Sequence, residues 1–585
     1  MTEAVQGADG KKPTPRWLRA LRSLKDRKML AMLLLALAAG IPYGAVLGTL
    51  NAWLTEEGIT PGEIGVLSVI ILAYSYKFIW SPGLQKASFP KVGIPLLEKL
   101  GPRRAWLLTM QVIIAVLLVA LAFSQPAKSI AYVALIGVLV AFASATHDIV
   151  LDAWRIEVAT SDEDKDIMSA LYQFGYRIAG LFTGLFALML ADHVAWSVIY
   201  GLIAVGMIVA TIGTFVAPEP NHAAAQAGGH DKRPTFAGGL NRTAIRYSVG
   251  AVALGWAIAI FLIGAFTVGS LTSTPPPSAS KFTLEQGPVI VFLSVIMPGL
   301  VAAWLLRRSP TTAPHTEPSG GRLDKATDAL FHTVLDPLMD LVQRLKWAAV
   351  LILVLVLSFR FVDLIWGSFA YTFYLGDPSA GLTGNPAISL GALGHSNTDV
   401  AIASKTFGVL ATVAGAAAGG AMLLFIGRLP CLVIGAFLSA ITNLLFADLA
   451  LGGVGMDAFL GATGLGGALG ATGMDPALSR LTVAIAMENL ASGLASVAFV
   501  AYLTSIVNPR FAAVQYALLA SLTMLIGSLG RVPMGEFIDN SGFHDFFVLT
   551  AWLGMIAVAL SAAEWWRQSR LPKAVETPAT AQPAE

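Results

Sequence analysis

Apolar runs of about twenty residues or more recur along this whole chain, the length a helix needs to cross a hydrocarbon core of roughly 30 Å. A bilayer offers no water to backbone N–H and C=O groups, so runs of this kind cross as helices that satisfy those groups internally. Composition agrees, with 56% hydrophobic and 13% charged residues, where a soluble domain carries about 25% charged. The chain reads as an all-α polytopic membrane protein. A basic N-terminus (Lys11, Lys12, Arg16, Arg19, Arg22, Lys25, Arg27 and Lys28) precedes MLAMLLLALAAG and imitates a signal peptide. The run continues to about residue 54 and many others follow, so it reads as a retained first span.

The runs fall into two sixes. Spans 1 to 6 cover about 29–54, 62–81, 105–124, 130–157, 167–191 and 196–218. Spans 7 to 12 cover about 346–375, 400–426, 430–450, 478–507, 511–538 and 545–566. Between them the linker 219–345 carries two further apolar runs, about 244–272 and 286–306, and an amphipathic stretch at 325–344. The expected organisation is a basic tail (1–28), a six-helix bundle (29–218), the linker with two extra spans, a second six-helix bundle (346–566) and a tail (567–585), about fourteen spans in all. The loops 376–399 and 451–476 are long, and the second is Gly-rich and expected to be poor in structure. Lys and Arg crowd the tails, 86–104, 218–242, 306–346 and Arg510, while the opposite loops hold little beyond Lys128 and Lys281. That asymmetry predicts both termini in the cytoplasm.

Charges inside the spans follow a rule. They fall on spans 2, 4, 5, 7, 8, 10 and 11, while 3, 6, 9 and 12 have none away from their ends. A charge at a bilayer centre costs roughly 2.5–3.5 kcal/mol on insertion scales, so charged helices face protein or water. Two bundles with the third and sixth helix of each outside is the major facilitator arrangement, in which the substrate sits near the midplane between halves. Within span 4, Asp148, Asp152 and Arg155 are spaced to share one helix face. Asp148 and Asp152 are expected to meet Lys77 on span 2 and Arg177 on span 5; Arg177 lies beside Tyr172, Gln173 and Tyr176. In the second half, Asp363, Lys405 and Glu488 lie between the middle and the far side of their spans, and Arg360 precedes Asp363 by three residues. Fixed ion pairs and proton exchange are both open to such acids. The proton-coupling candidates are Asp148, Asp152, Asp363 and Glu488.

Smaller signals have plainer readings. Tyr172 and Tyr176 are the aromatics best placed to stack on sugar rings, while Tyr43, Trp53, Tyr74, Tyr76, Trp80 and Trp366 read as packing or belt residues. GAAAGG (415–420) reads as close helix packing, and His147 as a hydrogen-bonded packing residue. No spacing suits a metal, a cofactor, a catalytic triad or a nucleic acid, and the single cysteine, Cys431, excludes a disulfide within the chain.

Several stretches resemble the AmpG-type muropeptide permeases: KFIWSP (77–82), ATHDIVLDAWR (145–155), SKTFGVLATVAGA (404–416), MENLASGLASVAFVAYL (487–503) and FAAVQYALLASL (511–522). The resemblance covers about 29–217 and 346–565, and two extra spans between the halves match that family's habit. It implies proton-driven import of GlcNAc-1,6-anhydro-MurNAc, with or without peptide, across a bacterial inner membrane by a monomer. Such import feeds peptidoglycan recycling and, in some bacteria, β-lactamase induction. The matching polar positions are Lys77, Asp148, Asp152, Arg155, Arg177, Lys405, Glu488, Asn489 and Gln515. The substrate-binding candidates are Lys77, Tyr172, Gln173, Tyr176, Arg177, Arg360, Lys405, Asn489 and Gln515. The chain departs from the family at Gln85, where an acid is usual, and at Ser404, where Asn is usual. Alternatives are a carrier of another bulky anionic solute such as an acyl-CoA, and a polytopic membrane transferase.

Overall fold

The computed structural model describes residues 25–570, apart from scattered positions between 68 and 92 and the stretches 221–235, 274–276, 309–320, 507 and 509–511. Nearly half of span 2, Gln85, Arg510 and the outermost parts of both tails lie outside the described residues, as does the side chain of Gln173. Among the described residues, 12 helices are long and apolar enough to cross a membrane. One of them, Leu522–Ser569, is spans 11 and 12 merged across a kink at Gly542, whose φ of 84° is a left-handed conformation that favours glycine. Span 2 is represented by the helix Pro61–Leu67. The fold is the all-α polytopic one expected.

Polar side chains set the starts of several spans. Ser129 accepts from the Tyr132 amide and opens Ile130–Val158, Ser161 caps Asp162–Gly180, and Ser396 forms a capping box with Asp399. Span 7 departs from the single helix expected. It runs as Ala348–Phe359, Phe361–Trp366 and Ala370–Leu375, interrupted at Arg360 and again at 367–369.

The same pairings recur in both halves. A Cβ on Gly40 or Gly175 would strike the facing span (5 or 1), so spans 1 and 5 lie in close contact; Gly527 and Gly530 do the same for spans 11 and 7. Gly137 of span 4 meets Ile70 of span 2, while Gly415 and Gly493 bring spans 8 and 10 together backbone to backbone. The GAAAGG stretch is thus packing surface, as expected. Spans 3, 6, 9 and 12 lie outside, with Val116, Val205, Ile208, Phe437 and Trp552 on exposed faces. Those faces suit lipid, which explains why these four spans carry no internal charge.

Two loops hold more structure than their composition suggests. In 376–399, β1 (Gly381–Leu382) and β2 (Asn385–Ser389) form an antiparallel hairpin. The Gly-rich 451–476 folds into helices Val454–Thr463 and Leu465–Gly470, tied down by an Arg480–Asp457 ion pair of 2.9 Å and by Asp448 accepting from the amides of Gly455 and Met456. The inserted spans, Arg242–Thr272 and Gly287–Arg308, share a core with the amphipathic linker helix that includes Trp256, Phe331 and Leu335. They pack over the seam between spans 2 and 11, where Ile263 and Ile290 join a cluster with Tyr76 and Leu525, and the Tyr76 hydroxyl lies 3.2 Å from that of Ser294.

Candidate functional site

Spans 1, 5 and 8 each loosen into a π-helical turn, at Ala45–Thr49, Leu181–Phe186 and Ile402–Phe407. The three turns touch in a row: Thr49 donates its hydroxyl to the Thr183 carbonyl, and the Lys405 side chain lies against Gly184 of the opposite half. Such turns are rare inside helices and gather at functional sites. Nothing in the sequence announced them.

Toward the far side, opposite the termini, the two halves are joined. Asn51 donates to the Ser368 carbonyl at 3.1 Å, and the Gly62 amide to Asp539 at 2.9 Å. Asp192, at the end of span 5, accepts from the amides of Asn397 and Thr398 at 3.1 and 2.7 Å and so caps span 8 of the other half. Glu56 accepts from the Asn397 side chain and from Trp196. Partial burial works to raise the Asp192 pKa, but the hydrogen bonds from Thr398 and Asn397 prevail and hold it below its ordinary value. On the terminal side, a hydrogen bond from Lys28 is the main reason Asp164 is pulled down to about 2.

Between these levels lie the charged residues, and the halves treat them differently. Asp148 faces spans 1 and 2, on the side of its helix that also carries Gly137, Ala141 and Ser144. Its Oδ1 is enclosed and has no hydrogen-bond partner among the described residues. Lys77, half-buried, is near enough for its charge to act on Asp148, as is Asp152. Asp152 does not pair with Arg177 as expected. Its partner at 3.0 Å is Arg155, one turn along the same helix, and Arg155 also lies over the Tyr172 ring. Arg177 is exposed, and no ion pair joins it to span 4 among the described residues.

Four tyrosines gather beside Asp148. Tyr43 lies 5.5 Å from Tyr74 and 5.7 Å from Tyr176, and Tyr172 is 5.9 Å from Tyr176. Tyr172 and Tyr176, the aromatics expected to stack on sugar rings, thus sit with Tyr43 and Tyr74, for which packing is the expectation. The four lie on spans 1, 2 and 5, which leaves no sequence signal for the cluster. Trp53 does pack, against Trp196 and Tyr200. His147 is fully buried with Nε2 3.3 Å from the Gln111 amide, a packing role as expected.

In the second half the acids are engaged. Arg360 pairs with Asp363 at 3.4 Å and donates to Ser496 at 2.7 Å. Glu488 accepts from Asn489 at 2.9 Å and feels the charges of Asp363 and Arg360. Two expected ligand groups turn out to be internal ties. The Asn489 amide also bonds Thr412 and the Ile485 carbonyl, bracing span 10 on span 8. Gln515, 2% exposed, donates to the Pro337 carbonyl and to Asp340 and accepts from the Asn508 amide, which fastens the linker helix to span 11. Lys405 remains among the candidates, its ammonium 5.7 Å from the Tyr371 ring centre.

The family model of the Major Facilitator Superfamily matches residues 29–375. An anhydromuropeptide permease of Escherichia coli K12 is 26% identical over 540 residues, 91% of this chain and 78% of that protein. A protein named as transporter AmpG 4 of Rickettsia conorii is 24% identical over 543 residues, 92% of this chain and 97% of its own length. Among solved structures, an auto-inhibited peptide transporter of the POT family aligns over 95% of this chain and 99% of its own, with a TM-score of 0.56 at 11% identity. The POT family transporter PepTSo gives 0.55 at 12% identity, covering 95% of this chain and 99% of its own. At such identities the structural likeness speaks to the fold alone.

Proposed function

The chain belongs to the Major Facilitator Superfamily as an AmpG-type member, a multi-pass membrane transporter and not an enzyme, and on that footing we propose that it imports anhydro-muropeptides together with protons. The solute is GlcNAc-1,6-anhydro-MurNAc, with or without peptide, carried from the periplasm to the cytoplasm of a bacterium for peptidoglycan recycling. The Escherichia coli relative's name supports the solute, and the loop asymmetry of Lys and Arg supports cytoplasmic termini and an inner-membrane location. In this orientation the far side is periplasmic and the joined far ends close the carrier to the outside.

One observation carries the coupling: Asp148 is a carboxylate enclosed beside the tyrosine cluster with an oxygen that lacks a partner. A buried acid without compensating bonds favours its neutral form, and a neighbouring cation favours the charged one. Lys77 is that cation, so small movements of span 2 against span 4 switch which form is preferred. Asp152, Asp363 and Glu488 each hold a bonded partner, which the Asp148 Oδ1 does not. The tyrosines offer flat faces and hydroxyls to the two sugar rings. A membrane potential adds about 2.3 kcal/mol per charge per 100 mV, enough for uphill uptake when a proton accompanies the solute.

The test is uptake of radiolabelled GlcNAc-1,6-anhydro-MurNAc into proteoliposomes under an imposed proton gradient. Accumulation that a protonophore abolishes is expected. Entry that merely equilibrates, with no response to the protonophore, contradicts the coupling, and no entry at all contradicts the solute.

A further inference from the structure

Span 11 carries a cation that the pairings above leave unused. Arg531 is 6% exposed, deep between helices. Its Nε donates to the Leu364 carbonyl of span 7, while Nη1 is enclosed with no hydrogen-bond partner among the described residues. No carboxylate among those residues forms an ion pair with it, in contrast to Arg360, which has Asp363. The backbone around it is held on two sides. Gly527 and Gly530 press span 11 onto Leu364, Phe361 and Ile365, and Gly65 of span 2 rests on the Arg531 carbonyl. The side chain is therefore fixed where spans 2, 7 and 11 meet, about 12 Å in from Asp539 at the far end.

Its surroundings are those of the site already described. Arg531 and Arg360 are the two cations whose charges act most on the Tyr43 hydroxyl, and Asp148 acts on the same hydroxyl from the other half. The Tyr74 hydroxyl beside Tyr43 is likewise enclosed without a partner among the described residues. Around Tyr43, three enclosed polar groups from three spans thus have unmet bonding capacity: Asp148, Tyr74 and Arg531. Leaving a buried polar group unsatisfied costs about 1–3 kcal/mol, and more for a charge. A hydrophobic residue at 531 would pack without that cost.

We propose that Arg531 reads the negative charge of the solute, its open guanidinium edge taking a carboxylate while Tyr43, Tyr74, Tyr172 and Tyr176 hold the uncharged rings. The guanidinium fork matches a carboxylate with two parallel N–H···O bonds, which a lysine ammonium reproduces only as a point charge. Arg360 is held by Asp363 and Ser496, and Lys405 lies toward span 5, so neither offers the same edge. This assignment rests on the anionic muropeptide reading above, in which the lactyl group of the muramyl ring, or the peptide attached to it, ends in a carboxylate.

The experiment compares GlcNAc-1,6-anhydro-MurNAc with its lactyl methylamide, which lacks the charge, in proteoliposomes of the full chain and of Arg531→Gln and Arg531→Lys. The wild type is expected to favour the carboxylate, and Arg531→Gln to raise its KM about ten-fold or more while leaving that of the methylamide unchanged. Arg531→Lys should restore part of the preference. An equal loss for both solutes, or a preference that survives in Arg531→Gln, overturns the assignment. If the wild type carries neither solute, the muropeptide reading fails. Arg531 is then judged by thermal stabilisation of the purified chain with N-acetylmuramic acid and with its amide. Stabilisation that needs the carboxylate and disappears in Arg531→Gln upholds the role, and its absence in the wild type or persistence in the variant overturns it. Should Arg531→Gln not reach the membrane, a KM for the carboxylate unchanged in Arg531→Lys is the overturning result.

Discussion

The two bundles repeat one another's helix pairings yet handle their buried acids in opposite ways. In the second, Arg360, Asp363 and Ser496 form one tied group, and Glu488, Asn489 and Thr412 form another beside it. In the first, Asp152 and Arg155 bond along their own helix, and Asp148 is left with an unbonded oxygen beside four tyrosines. A satisfied network rigidifies, and an unsatisfied one is available for change. The contrast assigns the acids of the second bundle to a scaffold and Asp148 of the first to exchange, with Arg531 standing apart from that scaffold.

The largest effect that sharpens this contrast comes from the scaffold's backbone. Gly415→Leu drives a side chain into the Leu490 carbonyl where spans 8 and 10 touch, and strain of at least about 1–3 kcal/mol should sharply lower the amount of protein in the membrane. Gly48→Ala, with nothing within 4 Å of the added atom, should leave that amount unchanged. Next, Arg360→Gln removes the partner of Asp363 and the cation nearest Glu488, so Tm in detergent should fall by several degrees. Asp363→Asn added to it should recover part of the loss; no recovery would mean the group is not held by charge.

A smaller effect concerns the closed far side. Asp192→Asn weakens the cap on span 8, and loss of a cap costs about 1 kcal/mol. Distances between spin labels on the far ends of spans 5 and 8 should broaden toward longer values. Smallest of all is the response to external pH. The Asp192 carboxylate is held below its ordinary value, so its contribution to closure is present above that value and is lost only as pH falls through the lowered one. The difference in these distances between the wild type and Asp192→Asn should be the same at about pH 8 and about pH 5, because Asp192 stays ionised throughout.

The fold was legible because the membrane enforces it. The lengths of the apolar runs and the charge-free third and sixth spans point to two bundles without any tertiary information, and 12 such helices stand among the described residues. Asp148 was legible for the same reason, since a charge inside an apolar run demands an explanation. Its partners were not. Helix spacing offered Arg155 to Asp152 as readily as it offered Arg177, and proximity along the helix prevailed. Gln515 and Asn489 matched polar positions of the resembled family, but an amide at such a position serves equally well to tie two helices together. The π turns in spans 1, 5 and 8 touch one another across three helices, a contact that no single run encodes.

The claim that Asp148 is the group that exchanges is tested most directly by measuring two fluxes in the same proteoliposomes: accumulation of labelled anhydro-muropeptide under a proton gradient, and exchange of label at equilibrium without one. Asp148→Asn should abolish accumulation and retain exchange, while Glu488→Gln should keep both above background with their ratio unchanged. Accumulation that persists in Asp148→Asn, or exchange and accumulation lost together in a protein present at normal levels, would contradict it.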